Sequence, residues 1–148
     1  MKVLALALAA VLLLGGCGGG GPRLSHDAYA HELRTIVRPL AATLLRPELA
    51  NAGRAAITRR VDAVQRALRR AASRLDALRP PKDAAAANRQ AVEGMREFAQ
   101  SLDAVRAAAA SGTAEQLREA KAESSRSPGA TKMNRALGEL RDAGYRIG

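Results

Sequence analysis

From Ile57 to Leu78, apolar side chains recur at Val61, Val64, Leu68, Ala71 and Leu75, in steps of four and three without a miss. That spacing keeps one face of a 3.6-residue helix apolar for about six turns. A strand would need alternation, so this segment reads as an amphipathic helix. Pro80-Pro81 ends it, because a proline disfavours helical backbone in the residue before it. A second run obeys the same rule: Ala91, Met95, Phe98, Leu102, Val105 and Ala109 mark a helix expected from about Asp83 to Ser111-Gly112. Gly94 lies beside that face, either to allow a close helix approach or as a glycine the helix simply tolerates. Composition points the same way. The 148 residues hold one Phe, two Tyr and no Trp, too few aromatics for an ordinary sheet.

Two further helical regions flank this pair. Ser25 is a good N-cap, Asp27 suits the first turn, and Leu24 with Tyr29 stand at the positions of a hydrophobic staple. Tyr29, Leu33, Ile36, Leu40 and Leu44 give that helix its apolar face, with Pro39 expected to kink it. Pro47, Asn51 and Gly53 mark the following turn. After Gly112, Thr113 and Gln116 form a capping box for the last region. There Leu117 and Ala120 open one apolar face, and Met133, Leu137 and Leu140 another. At 100° per residue, Leu117 and Met133 stand roughly 160° apart, on opposite sides of any straight helix. Ser127-Pro128-Gly129 lies between them, so a break is expected there. Gly144 suits a C′ position, with Tyr145 folding back as in a Schellman motif.

Short links between long amphipathic helices force antiparallel neighbours. The expected fold is all-α: an up-down-up-down four-helix bundle over residues 24–148, its fourth helix kinked or broken near Pro128. A long coiled-coil dimer is the rival, and the Pro-Pro and Ser-Gly-Thr hairpins oppose it.

The amino terminus carries a different signal. Met1-Lys2 precede twelve residues, Val3 to Leu14, without a polar side chain. That is the pattern of an export signal, too short to remain as a spanning helix. Leu14-Gly15-Gly16-Cys17 follows, with an aliphatic residue three before the cysteine and two small ones between. These residues resemble the lipobox of bacterial lipoproteins. The resemblance implies cleavage after residue 16, diacylglycerol on the Cys17 sulfur and a membrane anchor of two or three acyl chains. Residues 17–23 would form a lipidated cysteine and glycine-rich tether. An ordinary signal peptide is the alternative. Cys17 is the only cysteine, so no internal disulfide is available. With the "LRPP" hairpin at Leu78–Pro81 and the closing Gly144-Tyr145, the layout also resembles small helical lipoproteins of high-GC Gram-positive bacteria. That resemblance implies a cell-membrane location on the extracytoplasmic face and no particular activity.

Charge is the one feature of the body with functional content. The chain carries a formal +10, and loss of Lys2 with the signal would leave +9. On the central helix Arg59, Arg66, Arg69 and Arg70 are expected to point outward, with Arg60, Arg74 and Arg79 flanking and Asp62 within reach of Arg66 at i+4. Such a face attracts anionic lipid headgroups or acidic wall polymers, or an envelope protein. An Ala/Arg/Leu-rich composition alone also yields basic helices. Nucleic acid suits an exported chain without stacking aromatics poorly.

Catalytic and metal chemistry find little support. His26, Asp27, His31 and Glu32 cluster in "SHDAYAHEL", and a small ligand or metal site near Asp27 and His31 is the one alternative they raise. His26 and His31 are five apart and diverge, and no Glu-x-x-His motif completes a bundle metal site. No serine has a histidine at motif spacing, so hydrolysis is a weaker alternative still. The expectation is a non-catalytic module with no cofactor. A groove opened by kinks at Pro39 and Pro128, holding a partner helix or an apolar ligand, completes the set.

Overall fold

The structure, a computed structural model, describes residues 22–46 and 53–147. The expected signal peptide (1–16), the lipidation site Cys17 and most of the tether lie outside the described residues, as do Pro47 and Asn51. The described chain is all-helical. Helix α1 spans His26–Leu44, α2 Arg54–Asp76, α3 Ala85–Ser111, α4 Ala114–Ser125 and α5 Pro128–Asp142. Together α4 and α5 are the fourth helix of an antiparallel up-down-up-down bundle, bent by 35° near Pro128. Helix α3 is central: α2 and α5 pack along it, α1 lies on α2, and α4 touches α3. Among the described residues no helix is long and apolar enough to cross a membrane.

The ends follow their sequence signals. The Ser25 hydroxyl accepts from the Ala28 N–H, and Thr113 and Gln116 close a capping box over α4. Ser127 caps α5 by accepting from Ala130, with Pro128 in its first turn. Gly144 adopts φ +91°, where a Cβ would be strained, and the Tyr145 N–H donates to Leu140 as a Schellman motif requires. Helix α1 runs through Pro39 without interruption. Proline has no N–H for the Thr35 carbonyl, and Arg74 of α2 donates to that carbonyl instead, at 3.4 Å. Helix α3 starts at Ala85 rather than at Asp83, whose carboxylate is engaged elsewhere.

Two glycines set a close contact between α3 and α5. A Cβ on Gly94 would stand 2.4 Å from the Met133 backbone nitrogen; one on Gly129 would stand 2.4 Å from that of Phe98. Each glycine therefore lets the opposing helix approach backbone to backbone. Lys132 ties the same crossing from outside, donating to Glu97 at 2.5 Å and lying 3.8 Å from Glu93.

At the end of the bundle where the chain enters, aromatic rings form a clasp. Tyr29 and Tyr145 are fully buried and meet edge to face, centroids 5.2 Å apart, with His26 stacked on Tyr145 at 4.3 Å. The Tyr29 hydroxyl donates to Asn88, whose amide donates to the Leu75 carbonyl, and the Tyr145 hydroxyl donates to Asp83. The clasp joins α1, α2, α3 and the carboxyl-terminal segment. Nearby, the Leu24 N–H donates to the Arg79 carbonyl and Arg23 to that of Pro80. The amino-terminal segment is thus fixed to the α2–α3 hairpin.

Two predictions follow from these contacts. Gly94→Ala and Gly129→Ala should each lower stability by about 1–3 kcal/mol, because the obstructing atoms are mainly backbone. Gly138→Ala, with nothing within 4 Å, should instead raise it by ~0.5–1 kcal/mol; thermal melts that fail to separate these variants would refute the crossing. Burial raises the pKa of both tyrosines, that of Tyr145 from 10.0 to about 12, with its bond to Asp83 adding to the effect. Below pH 10 folded and unfolded chains both keep these protons. Between pH 10 and 12 only the unfolded chain loses them, so stability should fall across that window. With two tyrosines and no tryptophan, absorbance at 295 nm should show almost no tyrosinate at pH 10 until the protein unfolds. Half-ionisation there in the folded state would contradict the buried clasp.

Candidate functional site

Two surfaces offer chemistry. The first is the outer face of α2. Arg59, Arg66, Arg69 and Arg70 are all exposed there, as the periodicity requires. The flanking arginines do different work. Arg74 bonds the Thr35 carbonyl and hydroxyl and approaches Glu32 at 3.9 Å. Arg60 donates through Nη2 to the carbonyls of Thr43, Leu44 and Arg46, which the end of α1 leaves without helical partners.

The structure corrects one expected pairing. Asp62 does not bridge to Arg66; it bonds Arg106 of α3 at 2.9 Å. Asp76 likewise pairs with Arg96 of α3, at 2.7 Å. Both carboxylates of α2 therefore turn toward α3 and away from the outer ridge. Among the described residues none of the four ridge arginines meets a carboxylate. Arg59 to Arg70 spans about 16 Å of helix, a strip of uncompensated positive charge.

The second surface is a groove of about 540 Å³ at the end of the bundle opposite the aromatic clasp. Its floor is Ile57, Val61 and Val64 of α2 with Phe98, Leu102 and Val105 of α3. Leu44 closes one end, and Lys121, Ser124 and Ser125 of α4 form the opposite wall. Arg46 and Arg60 stand at the rim. The groove exists because α4 has little with which to fill it. Ser124 is its one buried residue, and Leu117, its only large aliphatic side chain, is half-buried. On its other side α4 borders a second crevice of about 800 Å³, lined in part by Gln100, Glu119 and Glu123. The helix thus stands off the bundle on both flanks.

The periodicity assigned Phe98 and Leu102 to the core, yet both are half-buried and form part of the groove floor. The sequence held the signal for this. The segment from Ala114 to Ser125 contains one leucine, too little to cover the opposing faces of α2 and α3.

The residues of the histidine cluster lie at the surface of α1. Asp27 is fully exposed, lying 3.6 Å from His26, and His31 is exposed on α1. Among the described residues no group of three or more metal-ligating side chains converges. The buried Ser124 and Ser127 at the α4–α5 break both meet the half-buried Ser101 of α3, at 3.3 and 3.4 Å. Comparison with protein families, with curated proteins and with solved structures finds no match to this chain.

Proposed function

We propose that this chain is a membrane-anchored lipoprotein of the extracytoplasmic cell envelope, held by acyl chains on Cys17, whose bundle is a non-catalytic binding module for anionic envelope material. The anchor rests on the Leu14–Cys17 lipobox and the apolar run before it. One structural observation carries the binding role: the exposed ridge of Arg59, Arg66, Arg69 and Arg70, from which Asp62 and Asp76 are drawn away to Arg106 and Arg96. Exposed arginines without counter-ions attract phosphate and carboxylate groups strongly at low salt and progressively less as salt screens them. Their planar donors also suit bidentate contact with such groups. The chain enters the bundle at the α2–α3 hairpin, so a short glycine tether would hold the Arg69 and Arg70 end of the ridge nearer to headgroups and wall polymers than the Arg59 end.

Two variants test the parts separately. Cys17→Ser should leave the protein extractable from membranes without detergent and remove the lipid mass; unchanged association with no mass lost would defeat the anchor. The triple variant Arg59→Glu, Arg66→Glu, Arg70→Glu should keep its helicity while binding acidic vesicles or wall extracts roughly tenfold less tightly, or weaker. Equal binding by the triple variant and the parent would remove the ridge from the account.

A further inference from the structure

The groove between α2, α3 and α4 is far from neutral. Arg46, Arg60 and Lys121 border it, and among the described residues no carboxylate does. The carbonyls that accept from Arg60 Nη2 orient its guanidinium but do not cancel its charge. The floor is the opposite in character: aliphatic side chains and the single phenylalanine, which α4 leaves open to water among the described residues. Apolar surface left wet beside concentrated positive charge fits a molecule with a long apolar part and a negative head.

Size narrows the choice. At roughly the 30 Å³ of a water molecule per methylene, 540 Å³ holds one acyl chain of about 16 carbons and leaves no room for a second. One turn of a partner helix, a cylinder ~10 Å wide and 5.4 Å long, already takes roughly 420 Å³. A partner helix of several turns would therefore stand largely outside the groove.

We propose that this groove binds one long-chain fatty acid, its chain along Ile57, Val61, Phe98, Leu102 and Val105 and its carboxylate against Arg46 and Arg60. The site is independent of the outer arginine ridge and of the mode of anchoring. It lies at the end of the bundle remote from the segment that enters at Arg23, so the ligand is held away from the tether. Lys121, Ser124 and Ser125 form the α4 wall beside the chain.

The test is photolabelling of the full chain in neutral phosphatidylcholine vesicles with palmitic acid carrying a mid-chain diazirine. Saturable label should map to peptides holding Ile57–Val64 and Phe98–Val105. Leu102→Trp, which fills the groove, should cut labelling about tenfold with circular dichroism unchanged; Val61→Phe serves if that variant fails to fold. Arg46→Glu should cut it roughly tenfold through the lost charge-assisted contact. The matching uncharged diazirine hexadecanol should label several-fold less. Label spread over exposed segments, label indifferent to the filling variants, or equal label from acid and alcohol would each overturn the proposal. So would a groove cross-linked in cells to a protein helix in place of lipid.

Discussion

The approach of α3 and α5 at Gly94 and Gly129 is the constraint on which the rest of the bundle depends. Here two backbones touch, and the contact is reciprocal: Gly94 faces Met133, and Gly129 faces Phe98. Gly94 and Phe98 lie four residues apart on α3, as do Gly129 and Met133 on α5, so the two contacts share one face of each helix and the helices mesh over about one turn. Lys132 reaches Glu97 and Glu93 across the seam, and its bond to Glu97 holds its ammonium above the ordinary lysine range. With this contact fixed, Met95, Met133 and Leu140 all fall in the buried interior. The rotation of α5 about its axis is then set.

That rotation decides what becomes of α4. A continuous helix through Pro128 would carry Leu117 to the side opposite Met133, away from any core. The chain breaks instead, Ser127 caps the new helix, and the axis turns. The break keeps α4 over α3, yet its sequence holds a single leucine, which does not reach the groove, against six apolar floor residues of α2 and α3. The groove is thus a consequence of composition on one side and of glycine packing on the other. The helix with little core contact thus borders an open apolar surface that has a charged rim.

Much of the fold was legible before any coordinates. The unbroken four-and-three spacing of residues 57–78 and 91–109 specified two long helices. Pro80-Pro81, Thr113 with Gln116, Ser127-Pro128 and Gly144 placed their ends, because each signal acts on its own backbone neighbours. What escaped was long-range. Asp62 sits at the right spacing for Arg66, but Arg106 on another helix takes it, and no local rule contains that competitor. Arg74 answers a carbonyl freed by Pro39, 35 positions earlier, and Tyr145 meets Asp83 across the molecule. The outward direction of Arg59, Arg66, Arg69 and Arg70 was readable from periodicity; their lack of counter-ions was not. Phe98 shows the limit best: its spacing says core, and only the poverty of a helix sixteen residues downstream leaves it half open.

Native-state hydrogen exchange tests the central claim, that a glycine-locked α3–α5 pair forms the stable body while α4 stands apart. Amides in the middle of α3 and α5 should exchange only when the whole protein unfolds. Amides from Leu117 to Ser124 should exchange by local opening, more than about tenfold faster and with little dependence on denaturant. If α4 proved as protected as α5, it would be packed into the core, and the open groove with everything drawn from it would be wrong.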